Sequence, residues 1–564
     1  MTPALRSDER AGHAAADCLV GDAIATALAD LGVTTIFGVI SIHNMPMLDA
    51  IARQGRIRFV PARGEAGAFN MADAYARVSD TLGVVLTSTG TAAGNAAGSQ
   101  VEALTAGSPV LHITTQVDRE FVDRDRAAIH DVPRQPDMLK AISKSFFRVW
   151  EPRSAIHLLE AAAQAALRPP AGPVTYEIPV DVQRAKCRIP AFVEIDRRPA
   201  AVSAVRKLDL LAEMVLSARR PMLWLGGGAR GARAQATRLA QMGFGIVASA
   251  NGRGVVDERH PNNLGAFNMT AEAEALYAES DLMIVVGSKL RGNETLNNAM
   301  RLPRRIAQID ADPLQAGRNY EAELFIAGDA GLVLAALADR LEGKFLPDNA
   351  FLRHIAEARD RARAKLKARL GPYGIVADAL CERIDAGGHP FVRDVTVANS
   401  TFGNRYVRLA GPCLGVHALG GGIGQGIAMA IGAALSAPRA KTIALIGDGG
   451  AMLNIGELAT AVEAGAGIVY LLMNDRGYGV IRNIQDAQYG GRRHYVDLRT
   501  PDFGKIAEAI GMPHRRLSRL DTFGADLDAA LAVKGPVLLE IDMVSVGPFA
   551  TAFAGPPAGA AGGA

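Results

Sequence analysis

The chain has 564 residues, 49% of them hydrophobic, and 61 Lys and Arg stand against 58 Asp and Glu for a formal net charge of +3. That length suffices for three or four domains of about 150 residues and a large core, while so balanced a charge argues against nucleic acid as a primary partner. Cys18, Cys187, Cys381 and Cys413 show no CxxC spacing, which suggests neither a disulfide framework nor zinc; with no secretory apolar region and no apolar run of membrane-spanning length, a soluble cytoplasmic protein without a membrane partner is expected.

Strand and helix patterns alternate along three blocks, which predicts an α/β protein of three doubly wound parallel-sheet domains at residues 18–187, 206–345 and 371–546. Residues 1–16 read as flexible. In the first block a helix over Val20–Leu31 precedes a strand over Thr35–Gly38. A second helix follows Arg63-Gly64-Glu65, and a strand over Gly83–Thr87 leads into a Gly/Thr-rich loop, Ser88–Gly98. The Pro-rich, aperiodic stretch Arg188–Val205 suits a linker. Strands of the second block include Pro221–Leu225, Gly245–Ala248, Leu282–Val286 and Ile306–Ile309. The turn Leu225-Gly226-Gly227-Gly228 is by itself a weak sign of a nucleotide site. The basic run Arg359–Arg369 reads as a solvated connecting helix. The first and third blocks look like two versions of one plan, and the tail Gly555–Ala564 reads as flexible.

The third block holds the most informative stretch, IGDGGAMLNIGELATAVEAGAGIVYLLMNDRGYG over Ile446–Gly479. An apolar run, Thr442–Ile446, delivers Gly447-Asp448-Gly449-Gly450, an amphipathic helix follows, and a second apolar run, Ile468–Met473, ends in Asn474-Asp475-Arg476-Gly477-Tyr478-Gly479. Both acidic ends should emerge at the carboxyl edge of neighbouring parallel strands, where open α/β sheets bind ligands. A carboxylate beside bare glycine amides suits Mg²⁺ on a diphosphate.

This pattern resembles the thiamine-diphosphate signature GDG…N[ND], and further stretches resemble the acetolactate synthase / pyruvate oxidase / benzoylformate decarboxylase group. They are FGVISIHNMPMLDAI (Phe37–Ile51), RGEAGAFNMADAYAR (Arg63–Arg77), ALTAGSPVLHITTQ (Ala103–Gln116) and GGGIGQGIAMAIG (Gly420–Gly432). The resemblance implies a pyrimidine-binding domain, a central Rossmann-like domain and a diphosphate-binding domain, in that order. It makes thiamine diphosphate and Mg²⁺ the cofactors. Asp448, Asp475 and the carbonyl of Gly477 become the metal ligands, with Gly447, Gly449, Gly450, Tyr478 and Gly479 around the diphosphate. Asp475 stands where many relatives carry Asn. Glu65 takes the place of the glutamate that hydrogen-bonds the cofactor's pyrimidine and sets its proton chemistry. Ile423 takes the place of the apolar wedge under the bent cofactor, Gly421 that of a carbonyl acceptor for its amino group, and Val397 and Ala398 those of backbone contacts to the diphosphate. Some relatives hold FAD in the central domain; here it is not favoured. The family builds each site between subunits, so a homodimer or homotetramer is implied.

The reaction is read as carbon–carbon lyase or ligase chemistry on 2-keto acids or aldehydes, with an acetolactate-synthase-like carboligase first. The alternatives are a benzoylformate-type 2-keto acid decarboxylase, a benzaldehyde-lyase-like ligase, and a paralogue that binds the cofactor without catalysis. Pyruvate-decarboxylase relatives carry an adjacent His-His pair and a glutamate where this chain has Ile481, and no such pair occurs here. Their aspartate falls on Ile42, where benzoylformate decarboxylases have serine; those also carry a histidine near Thr87. Biosynthetic acetolactate synthases have tryptophan where this chain has Ile484. His43 matches a histidine of benzaldehyde-lyase-like enzymes, and His130 falls where those carry glutamine. Both are candidate proton-relay residues, with Gln116 as a third polar candidate.

Overall fold

A computed structural model of the chain describes residues 17–188, 193–196 and 205–555. The flexible segments expected at 1–16 and beyond Gly555, and most of the expected linker, lie outside the described residues. The chain divides into two compact units, one holding the first block and the other the second and third, with Arg77–Asp80, the end of a helix and the turn after it, grouped with the latter.

The first unit contains β1 (Asp17–Leu19), β2 (Thr35–Gly38), β3 (Arg58–Pro61), β4 (Gly83–Thr87), β5 (Val110–Gln116), β6 (Ser145–Arg148), β7 (Val174–Pro179) and β8 (Lys186–Arg188). Six of these form a sheet in the order β3-β2-β4-β5-β7-β6, every pair parallel. β1 and β8 make a small antiparallel ribbon that sets Cys18 opposite Cys187, both as free thiols. The core packs Val20, Ile24, Leu28, Leu111, Ile113 and Tyr176. One expectation is corrected here. The loop expected over Ser88–Gly98 is only three residues long, because a helix begins at Thr91 and runs to Ala106. Its alanines favour helix strongly enough to absorb the glycines.

The second unit continues with β9 (Pro221–Leu225), β10 (Gly245–Ala248), β11 (Leu282–Val286), β12 (Ile306–Asp310) and β13 (Leu324–Ala327), a parallel sheet ordered β10-β9-β11-β12-β13. β11 reads LMIVV and is wholly buried, as expected for a sheet covered on both faces. A helix over Asn349–Leu370 is capped by Asp348, which accepts from the amides of Ala350 and Phe351. Its buried stripe is Phe351, Ile355, Ala358 and Ala362, spaced as one helical face. The expected basic helix is thus its second half.

The third sheet has β14 (Phe391–Arg393), β15 (Gly415–His417), β16 (Thr442–Gly447), β17 (Ile468–Asn474), β18 (His514–Leu517) and β19 (Val537–Asp542), ordered β15-β14-β16-β17-β19-β18 and all parallel. The single amphipathic helix expected between β16 and β17 is broken into Asp448–Ala451, a short 3-10 turn and Glu457–Glu463. At the break the Asn454 side chain leaves its own segment to donate to the carbonyl of Gly424, at 2.7 Å.

Candidate active site

The strand order of the third sheet reverses between β14 and β16, and ligands of such sheets sit outside the strand ends at that reversal. Four segments converge there, one after each of β14, β15, β16 and β17. Bare glycines let them approach. A Cβ on Gly450 would stand 3.1 Å from Asp394 Oδ2, one on Gly424 2.9 Å from the carbonyl oxygen of Gly450, and one on Gly479 2.9 Å from Val397 Cγ2. Gly421 and Gly424 have φ of 80° and 83°, in the region glycine adopts without strain.

Asp448 and Asp475 stand at the ends of adjacent strands, as the sequence pattern requires. The Asp448 carboxylate accepts from the amide of Gly477 at 2.9 Å and from that of Asp475 at 3.3 Å. Burial, and then the charge of Asp475, raise the Asp448 carboxyl to about 7. Burial also raises Asp475, opposed by its hydrogen bond to Asp448 and by the Arg482 guanidinium. Arg482 stands 3.7 Å from Asp475 Oδ2 and donates to the Asp475 carbonyl at 3.3 Å. A buried carboxylate and a half-buried one held this close could each be half of a cation site, because a divalent ion would relieve their repulsion. Among the described residues no three acidic, Cys or His side chains cluster for a metal, so a cation held here would need further oxygen ligands from backbone, water or the diphosphate itself. The Gly477 carbonyl oxygen fits that role, standing 3.1 Å from the place of a Cβ on Gly449. An all-oxygen donor set suits Mg²⁺. The turn that carries it is strained, with Arg476 at φ 58° between Asp475 and Gly477. Gly479 has no alternative, because a Cβ there would lie 1.8 Å from Asp475 Oδ2.

Val397 and Ala398 are buried beside this turn. Ile423 keeps 38% of its surface exposed; it is an apolar side chain presented by a glycine loop rather than packed in the core. Asp394 was missed by sequence reading. It is buried, and its carboxylate accepts from the amides of Val395, Gly424 and Gly426 at 2.7 to 3.2 Å. It therefore clasps the glycine loop that presents Gly421 and Ile423. Burial raises it to about 6 against those bonds. The only sequence signal was an acidic residue directly after a short apolar strand.

In the first unit Glu65 opens the helix Glu65–Ser79 and accepts from Asn95 Nδ2 at 3.1 Å. His43 and His130 come from separate loops, yet their Nδ1 atoms lie 3.4 Å apart. His43 is buried, and its Nδ1 lies 3.5 Å from Ser88 Oγ, which accepts from Ser41 Oγ at 2.6 Å. Burial, and next the positive field of His130, lower the pKa of His43; Asp118 opposes and Arg184 adds to the lowering. His130 sits at φ 68°, and its carbonyl lies 2.3 Å from the place of a Cβ on Gly90. Gln116 is not hydrogen-bonded to this pair. Its Oε1 accepts from Thr89 Oγ1 and from the amide of Val117, and its buried Nε2 has no hydrogen-bond partner among the described residues. It braces the turn after β4. No residue near Thr87 on its own strand is histidine, but His112 of β5 reaches Thr87 Oγ1 at 2.9 Å. Burial lowers His112 to about 3, so it is a neutral core residue.

Three parallel α/β sheets, the last with a carboxylate pair over glycine amides at its strand reversal, define a diphosphate-handling enzyme class. The N-terminal TPP binding domain of thiamine pyrophosphate enzymes matches residues 19–138, their central domain residues 208–337, and their C-terminal TPP binding domain residues 397–541. The chain is 31% identical over 530 residues to a probable 2-ketoarginine decarboxylase of Pseudomonas aeruginosa, covering 92% of this chain and 93% of that protein. It is 29% identical to a probable acetolactate synthase large subunit of Methanocaldococcus jannaschii (92% and 91% covered) and 28% identical to an acetolactate synthase of Mycobacterium bovis (92% and 87%). The chain belongs to the thiamine pyrophosphate enzyme family, and its cofactor is thiamine diphosphate.

Proposed function

We propose that the protein is a Mg²⁺- and thiamine-diphosphate-dependent enzyme that decarboxylates a 2-keto acid and joins the remaining fragment to a second carbonyl, as the names of its acetolactate synthase relatives suggest. The observation that carries the reading is the Asp448–Asp475 pair at neighbouring strand ends with the Gly477 amide on it. In this reading Asp448, Asp475 and the Gly477 carbonyl hold Mg²⁺. Gly447, Gly449, Gly450, Tyr478 and Gly479, with the backbone of Val397 and Ala398, receive the diphosphate. Ile423 would prop the cofactor, and the Gly421 carbonyl would accept from its amino group. The bound cofactor supplies the electron sink for loss of carbon dioxide. Glu65 would hydrogen-bond the pyrimidine ring when the cofactor is bound, and its presence speaks against a paralogue that binds without catalysis. Nothing in the glycine turn after β9 argues for FAD.

A homodimer or homotetramer belongs to the same proposal. Ile40, Ile42 and Met45 of the first unit are 62%, 49% and 46% exposed, and Leu453 and Ile481 of the second 54% and 47%. Apolar side chains at strand ends are surfaces for a second copy to bury. No described helix is long and apolar enough to cross a membrane; a cytoplasmic location is proposed.

A second reading, simple decarboxylation, is favoured by one contact. His43 and His130 lie with their Nδ1 atoms 3.4 Å apart, and in this reading they would supply the proton donors that pyruvate-decarboxylase relatives take from an adjacent His-His pair. A proton donor there protonates the fragment and lets it leave as an aldehyde, and one relative is named a 2-ketoarginine decarboxylase. The test is product analysis with Mg²⁺ and cofactor on pyruvate, benzoylformate and 2-ketoarginine. A 2-hydroxy-keto product supports carboligation, and aldehyde alone the second reading. No carbon dioxide from any 2-keto acid overturns both.

A further inference from the structure

A cavity of about 210 Å³ opens among the loop after β10, the helix Asn349–Leu370 and the segment after Asn399–Gly403, and five arginines line it: Arg259, Arg359, Arg363, Arg405 and Arg408. Three have carboxylates. Arg259 meets Asp257 at 2.6 Å, Arg359 meets Asp360 at 3.0 Å, and Arg408 meets Asp385 at 2.6 Å. Two do not. Arg363 donates to the Tyr406 carbonyl at 2.7 Å and to Cys381 Sγ at 3.4 Å, and lies 3.7 Å over the Tyr406 ring. The half-buried Arg405 guanidinium makes no hydrogen bond or ion pair among the described residues.

The other carboxylate on the cavity wall besides Asp360 is also committed. Glu258 accepts from Nε and Nη2 of the buried Arg253 at 2.8 and 2.7 Å, and from the Leu409 amide at 3.0 Å. Burial, and then the charge of Arg369, disfavour the charged form of Arg405. A guanidinium is held charged in such a place only at a cost. An anion entering the cavity lowers that cost, and a phosphate group carries about 1.5 to 2 negative charges at neutral pH. The planar forks of Arg363 and Arg405 match its oxygens, which a point charge does not.

We propose that this cavity is a second ligand site, separate from the cofactor end of the third sheet, that binds a small phosphate-bearing anion through Arg405 and Arg363, with Arg259 at its rim. The test is calorimetric titration of the cofactor-saturated protein with inorganic phosphate, in chloride matched for ionic strength. The expected result is saturable binding of one phosphate per chain, weakened tenfold or more by Arg405→Gln and less by Arg405→Lys. Arg259→Gln alters a side chain that is 56% exposed, so it leaves folding intact; it should weaken binding two- to fivefold and carries the test if Arg405→Gln fails to fold. The proposal falls if phosphate shows no saturable binding above chloride, or if both variants bind like the parent. It falls also if binding vanishes once the cofactor site is filled, or if acetate binds as tightly. None of these readouts depends on turnover, so the reaction assigned above can fail independently.

Discussion

The six-stranded sheet of the first unit and the six-stranded sheet near the end of the chain have the same spatial order when each is counted from its own first strand: β3-β2-β4-β5-β7-β6 and β15-β14-β16-β17-β19-β18. Their central strands correspond, with β5 and β17 both seven residues long. The segments that leave those strands differ. After β4 come Ser88, Thr89 and Gly90, and β5 closes on Gln116; after β16 come Asp448 and two glycines, and β17 hands over to Asp475. The first sheet thus presents neutral hydroxyls, an amide and two imidazoles. The second presents a pair of carboxylates. A shared winding fixes where a ligand site forms, and the few residues past each strand decide its chemistry.

That division of labour can be broken from either side. The largest effect is expected from Glu65→Gln in the first unit. It should lower kcat by a factor of about 100 to 10,000, the usual span for a lost proton-transfer group, while the melting temperature stays unchanged. Turnover equal to the parent would show that the first sheet supplies no acid–base group at Glu65.

Asp448→Asn in the third sheet should, unlike Glu65→Gln, change stability. A carboxyl raised above its unfolded value binds more protons folded than unfolded, so its charge costs the cofactor-free protein stability as pH rises from about 4 toward 7. The variant should be more stable than the cofactor-free parent at neutral pH, by about 1–3 kcal/mol, and should lose Mg²⁺-dependent cofactor retention. In the parent, Mg²⁺ affinity should fall as pH drops below about 7, because the ion must displace a proton. Calorimetry in two buffers of different ionisation heat checks the proton release; a pH-independent affinity would contradict the paired-carboxylate account.

Gly479→Ala tests the packing alone. Its Cβ would occupy space held by Asp475 Oδ2, so cofactor affinity should fall about tenfold, with a stability loss of about 1–3 kcal/mol as for other overpacked sites. The smallest effect is expected from His130→Gln. It leaves His43 without its partner and should slow proton delivery severalfold, shifting products from aldehyde toward carboligation. An unchanged product ratio would make the pair a loop contact only.

Much was legible because it is local. The strands Pro221–Leu225, Gly245–Ala248 and Leu282–Val286 are contiguous apolar runs, and buried parallel strands read that way. The metal turn is two short motifs with fixed offsets from their strands. The loop misread after β4 failed because its glycines sit among alanines that carry a helix over Thr91–Ala106. The remainder depends on positions far apart in the chain. His43 and His130 are separated by 87 residues, and nothing in either loop announces the other. Asp394 gains its meaning only from the amides of Gly424 and Gly426, thirty-odd residues on. The arginine cavity draws on three separate segments.

The sequence by itself determined the family, the three parallel sheets and the acidic pair at adjacent strand ends, since apolar periodicity and short glycine motifs act over a few residues. Only the tertiary structure decided which histidines meet, which carboxylate clasps the glycine loop and which guanidiniums are left without a counter-charge. Those depend on how segments far apart in the chain fold against one another, and hydrogen bonding and burial between them are fixed in space rather than along the chain.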